Sequence, residues 1–71
     1  MTEQFTAALV ILRLKQVEKR TGLKRSTIYG RMASNTFPRA IKLGGSRAVG
    51  WLEHEINRWL ESQIKISRKK D

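Results

Sequence analysis

The chain is 71 residues long, has no cysteine, and carries fifteen Lys+Arg against six Asp+Glu, a formal net charge of +9. That length allows one domain with a small core, and without cysteine neither disulfides nor thiolate metal sites are available. The apolar run Ala7–Leu12 is six residues long with Glu3 ahead of it, whereas a spanning helix takes roughly 20 apolar residues, so neither a signal peptide nor a membrane partner is expected and the protein reads as soluble and cytoplasmic.

The charge is unevenly placed. Residues 13–47 hold ten basic groups and one acid, Glu18, a net +9 for that stretch, while residues 1–12 carry −1 and residues 48–71 carry +1. A positive field concentrated in one part of a small domain attracts polyanions, and nucleic acid is the common one.

Residues 1–8 read as a flexible N-terminal arm. The apolar run Ala7–Leu12 fits either a short buried strand or the entry to a helix, and so short a stretch has no periodicity to decide between them. From Leu14 the spacing is helical, with Leu14, Val17 and Thr21 on one face. Gly22 ends this helix, because glycine accepts the left-handed backbone of a helix C-terminus at little steric cost, and Leu23 pins the turn. A second helix over about Lys24–Ser34 follows, with Ile28 and Met32 on its inner edge and Ser26, Gly30 and Ser34 outside. Two helices joined by a short glycine turn form a helix-turn-helix, whose second helix enters the DNA major groove.

Asn35-Thr36-Phe37-Pro38 breaks the second helix, since Pro38 disfavours helical geometry at Phe37. Ala40–Leu43 and Ala48–Trp51 then read as two strands around Gly44-Gly45-Ser46-Arg47, the paired glycines supplying the positive φ of a tight hairpin turn. A last helix from about Leu52 to Ile64 carries the stripe Leu52, Ile56, Trp59, Leu60 and Gln63, with Glu53 and Glu55 in its first turn, where carboxylates complement the helix dipole. Residues 67–71 read as a frayed basic tail. The expected fold is therefore mainly α with a small β-hairpin, a winged helix-turn-helix in the order helix-turn-helix-wing-helix over residues 9–66.

Two blocks of this sequence, Gly22-Leu23-Lys24-Arg25-Ser26-Thr27-Ile28-Tyr29 and, after Phe37-Pro38, Ile41-Lys42-Leu43-Gly44-Gly45-Ser46-Arg47-Ala48-Val49-Gly50-Trp51, resemble the AlpA-like phage regulatory proteins, which group with the excisionases of the MerR-like winged-helix type. The resemblance covers roughly residues 10–64, and the second block is its specific part. It implies a prophage or genomic-island regulator, acting as a transcriptional activator of a neighbouring integrase gene or as a recombination directionality factor that bends DNA. It also implies a bacterial or phage origin, nucleoid association, further copies on adjacent DNA sites, and an integrase as a partner. Two positions depart from the family pattern. Lys24 stands where serine is usual and offers no acceptor to the helix N–H groups. Gly30 stands where a longer polar residue is usual, which loosens the helix by roughly 1 kcal/mol relative to alanine and removes an expected DNA contact.

The candidate DNA-binding residues fall into two groups. On the second helix they are Arg25, Ser26, Thr27, Tyr29 and Arg31. Arginine is the commonest specific reader of guanine, hydroxyls more often hold phosphates, Thr27 is placed either outward or toward the first helix, and Arg31 is assigned to phosphate. On the hairpin they are Lys42, Ser46 and Arg47, since a basic wing tip meets the backbone or the electronegative minor groove. Lys15, Lys19 and Arg20 are weaker candidates for phosphate. Trp51 and Trp59 read as core anchors rather than base-stacking platforms, and His54 as a surface residue. No catalytic pairing of nucleophile and base, or of convergent carboxylates, is visible, so no enzymatic activity, metal or cofactor is expected.

The function these residues suggest is sequence-specific binding of double-stranded DNA. The competing readings are RNA binding, for which two short strands offer little sheet surface, and a protein-interaction module or anti-repressor whose basic face binds an acidic partner.

Overall fold

The computed structural model of the chain describes residues 9–45 and 47–69; the arm expected over residues 1–8, Ser46 and residues 70–71 lie outside the described residues. The elements run β1 (Ile11–Leu12), α1 (Leu14–Thr21), α2 (Arg25–Ala33), β2 (Ile41–Lys42), β3 (Val49–Leu52) and α3 (Glu53–Lys69). This is the expected winged helix-turn-helix with an addition: the hairpin gains a third strand, in the order β1-β3-β2. β3 runs antiparallel to both neighbours, with Ile11 opposite Leu52 and Leu12 opposite Trp51 on one side, and Ile41 opposite Gly50 and Lys42 opposite Val49 on the other. The run at Ala7–Leu12 thus ends in a strand and not in a helix entry.

The turn between α1 and α2 forms as its residues dictate. Gly22 has φ 75° and its N–H donates to Glu18 O at 2.8 Å. Thr21 adds to this closure: its hydroxyl donates to Val17 O and accepts from Leu23 N–H. At the far end of α2 the stop lies upstream of Pro38. Asn35 takes φ 60°, its N–H donates to Met32 O, and Thr36 N–H donates back to Arg31 O at 2.8 Å. This pair of bonds is a Schellman closure, in which asparagine serves as the left-handed residue.

In the wing, Gly44 and Gly45 have φ 64° and 71°, and Leu43 N–H donates to Ala48 O at 2.9 Å to close the loop. The paired stretches are Ile41–Lys42 and Val49–Leu52, where Ala40–Leu43 and Ala48–Trp51 were expected. Leu52 belongs to β3 because it pairs with Ile11, so the last helix begins at Glu53. It also continues past Ile64, through Lys69, so residues 67–69 are helical and not a frayed tail. A Cβ at Gly50 would lie 2.5 Å from Ile11 Cγ2 and 3.1 Å from Leu12 O. Only a residue without a side chain lets β1 lie against β3 at this point.

The core takes one residue from nearly every element: Leu12, Val17, Ile28, Phe37, Trp51 and Ile56, with Leu14, Leu23, Met32, Ala40, Val49, Trp59 and Leu60 packed around them. Each fully buried side chain contributes roughly 1.5–3 kcal/mol relative to exposure, so a core this small makes every member matter. Trp51 is its largest member, and its indole N–H donates to Pro38 O at 3.1 Å. Phe37, which no periodic pattern marks as a core residue, is buried against Trp59.

Candidate nucleic-acid interface

α2 meets the core through the buried Ile28, with Met32 packed beside it. At about 100° per residue, that orientation turns Ser26 and Gly30 directly outward and sets Arg25 and Tyr29 on one flank, Thr27 and Arg31 on the other. All six are exposed, so Thr27 faces solvent and not α1. The first flank is built on the sheet. Tyr29 lies edge-on to Trp51, ring centroids 6.4 Å apart, and the Arg25 guanidinium lies 5.7 Å from the Tyr29 ring centroid. The second flank leans on the last helix, where the Arg31 guanidinium lies 5.9 Å from the Trp59 ring centroid. These are cation–π distances, and they hold the two arginines apart.

The wing contributes from the Arg25 side. Residues directly opposite one another on neighbouring strands share a sheet face, as do residues two apart on one strand. Lys42 is opposite Val49, and Val49 is two residues from Trp51, so Lys42 projects on the sheet face against which Tyr29 rests. Arg25, Tyr29 and Lys42 therefore lie on one side of the sheet. Arg47 is exposed in the loop at the hairpin tip; Ser46 lies outside the described residues.

Two basic residues outside the expected set are also positioned by the fold, and Arg39 adjoins this surface. Arg39 lines an open groove of about 340 Å³ together with Tyr29, Met32, Ala33 and Ala40, which puts a cation between α2 and the segment that leads into β2. Arg13 donates from Nε to Val49 O at 3.0 Å, filling the place beside β3 that β1 vacates when it ends at Leu12. Both were visible only as members of the basic stretch, since neither sits on an element whose pattern says where it points. Arg20 does the opposite. It forms an ion pair with Glu53 at 2.7 Å and also donates to Asn57 Oδ1, tying α1 to α3. Lys15 and Lys19 stay exposed.

The N-terminus of α2 keeps the departure noted in its sequence: Lys24 is the N-cap and makes no side-chain capping bond. Trp51 and Trp59 are both packed as anchors, the second only partly buried, and His54 is exposed. Among the described residues no group of three or more His, Cys, Asp or Glu could hold a metal ion, and no helix is long and apolar enough to cross a membrane. The surface can present several arginines and a lysine around a helix whose outward face carries small polar and glycine positions.

Residues 10–64 match the family of the Prophage CP4-57 regulatory protein (AlpA). Among curated proteins, the chain is similar to the DNA-binding transcriptional activator AlpA of Escherichia coli (strain K12), 39% identical over 66 residues that cover 84% of this chain and 93% of that protein. It is also similar to the uncharacterized protein ORF88 of Enterobacteria phage P4, 40% identical over 53 residues, covering 75% of this chain and 59% of that longer relative.

Proposed function

Since the chain belongs to the AlpA family of prophage regulatory proteins, we propose that it binds double-stranded DNA sequence-specifically and regulates transcription through that binding. The observation that carries this reading is the grouping of Arg25, Tyr29 and Lys42 on one side of the sheet, with Arg39 beside Tyr29 in the groove along α2. In this reading α2 enters the major groove. Arg25 and Ser26 meet base edges there, Thr27 and Tyr29 meet base edges or backbone, Arg31 meets phosphate, and Lys42, Ser46 and Arg47 of the wing hold the flanking backbone. Arg20 is left out, because it is already committed to Glu53.

The test is selection from a randomised duplex pool, followed by a mobility-shift salt series with RNA of equal length as competitor. The reading expects a preferred duplex sequence, steep loss of affinity with salt and poor competition by RNA. Weak duplex binding even at low salt would instead favour an acidic protein partner, and efficient competition by RNA would reverse the choice of nucleic acid.

A recombination directionality role is the finer version of the same proposal. It requires further copies on adjacent sites, cooperative occupancy, bent DNA and an integrase acting alongside. Independent, unbent occupancy of single sites on a multi-site fragment counts against that role and leaves transcriptional regulation in place.

A further inference from the structure

The fold itself accounts for four of the five glycines: Gly22, Gly44 and Gly45 have positive φ, and Gly50 has no space for a Cβ. Gly30 has neither reason. It lies inside α2 with no left-handed φ, and a Cβ built there would meet nothing within 4 Å. Interior glycine weakens a helix relative to alanine, and α2 is nine residues long with Ile28 as its buried residue. The helix is thus kept weaker than the molecule requires, by a residue whose missing side chain relieves no contact among the described residues.

The position is also the most outward one. Ile28 and Met32 point to the core, and Gly30 lies opposite them beside Ser26. Arg25 and Arg31 stand about 120° to either side of the line midway between Ser26 and Gly30. Each is drawn back over its own aromatic ring. The leading edge of the helix is therefore low, with a cation on each flank.

We propose that Gly30 is a specificity-determining position: its bare backbone lets α2 seat close to the floor of the major groove, so that short side chains reach base edges. This rests on the DNA reading above. A helix with side chains is about 10–12 Å across, and the major groove is about 12 Å wide and 8.5 Å deep. Side chains on the leading edge therefore set how deep the helix can go. A serine hydroxyl reads a base only if the backbone comes near, and Ser26 is the exposed hydroxyl one turn before Gly30. Position 30 acts by the space it leaves, not by a bond it makes.

Full-length Gly30→Ala and Gly30→Gln test this, with a duplex selected by the wild-type chain from a randomised pool and a scrambled duplex as probes. Gly30→Ala should raise the thermal midpoint by about 4–8 °C, which shows that its helix is intact. It should nonetheless bind the selected duplex several-fold more weakly. Gly30→Gln should lose at least about tenfold on that duplex, while affinity for the scrambled one stays within about twofold. If both variants hold the selected duplex as tightly as wild type, the inference is overturned and the DNA reading stands. If the wild-type chain selects no duplex at all, the DNA reading falls and the inference falls with it.

Discussion

The two flanks of α2 are each braced by a tryptophan, and the braces differ in depth. Trp51 comes from β3 and is 0% exposed; it bears on Tyr29, which in turn carries Arg25. Trp59 comes from α3 and is partly buried; it packs edge-on to Phe37 at 4.8 Å, donates its indole N–H to Thr36 O at 2.8 Å, and carries Arg31 directly. One arginine thus rests on a platform whose base is the largest core residue. Both rings reach solvent, Tyr29 more than the partly buried Trp59, and the difference lies beneath them: the partners of Trp59 are Phe37 and Thr36 in the loop after α2. A guanidinium held by successive packed rings loses little freedom when it docks, which suits bidentate recognition of a base. One lying over a single ring set against a loop keeps more freedom and suits a phosphate, which requires charge more than orientation.

The contrast can be broken first at its deepest point. Trp51→Ala should destabilise the domain by about 3–5 kcal/mol in urea denaturation; a loss under about 1 kcal/mol would remove Trp51 as the base of the Arg25 platform. Arg25→Ala should leave stability nearly unchanged, cost about 1–3 kcal/mol of DNA affinity, and relax preference at one base position. An equal loss on every sequence would make Arg25 a phosphate contact like its counterpart. On the shallow flank, Trp59→Phe keeps a ring against Phe37 but removes the donor to Thr36 O, for an expected loss of about 1 kcal/mol by the same denaturation assay. The smallest effect belongs to Arg31→Ala: below about 1 kcal/mol of binding, uniform across sequences, with the salt dependence flattened by about one unit of slope. A sequence-dependent loss there would erase the distinction between the flanks.

Much of this arrangement was readable from local chemistry. Gly22 and the Gly44-Gly45 pair mark positions where only certain backbones fit, and Ile28, Met32 and the Ile56–Trp59–Leu60 stripe announce their faces through helical spacing. What escaped was set at long range or by weak local signals. β1 is two residues long, too short for alternation to register, and it exists because Ile11 and Leu12 find partners some forty residues onward. That same pairing draws Leu52 into the sheet and shifts the start of α3 to Glu53. The stop of α2 falls at the expected Asn35–Pro38 stretch, but Asn35 and not Pro38 makes the closure; asparagine enters the left-handed region far less readily than glycine, so its presence alone does not announce one. The candidate site was legible where it sat on patterned elements, at Arg25, Tyr29 and Lys42. Arg13 and Arg39 lie between elements, and their directions follow from the packing of neighbours.

β3 passes into α3 with no intervening loop: Leu52 closes the strand, Glu53 opens the helix, and Glu53 N–H donates to Val10 O across the junction. The seventeen residues of α3 extend about 25 Å, with Ile64 and Ile66 more than half exposed near the far end. With no loop to bend at the junction, the direction of the helix is set by the central strand. A change of about 10° in direction at that junction would displace the distal turns by about 4 Å over that length.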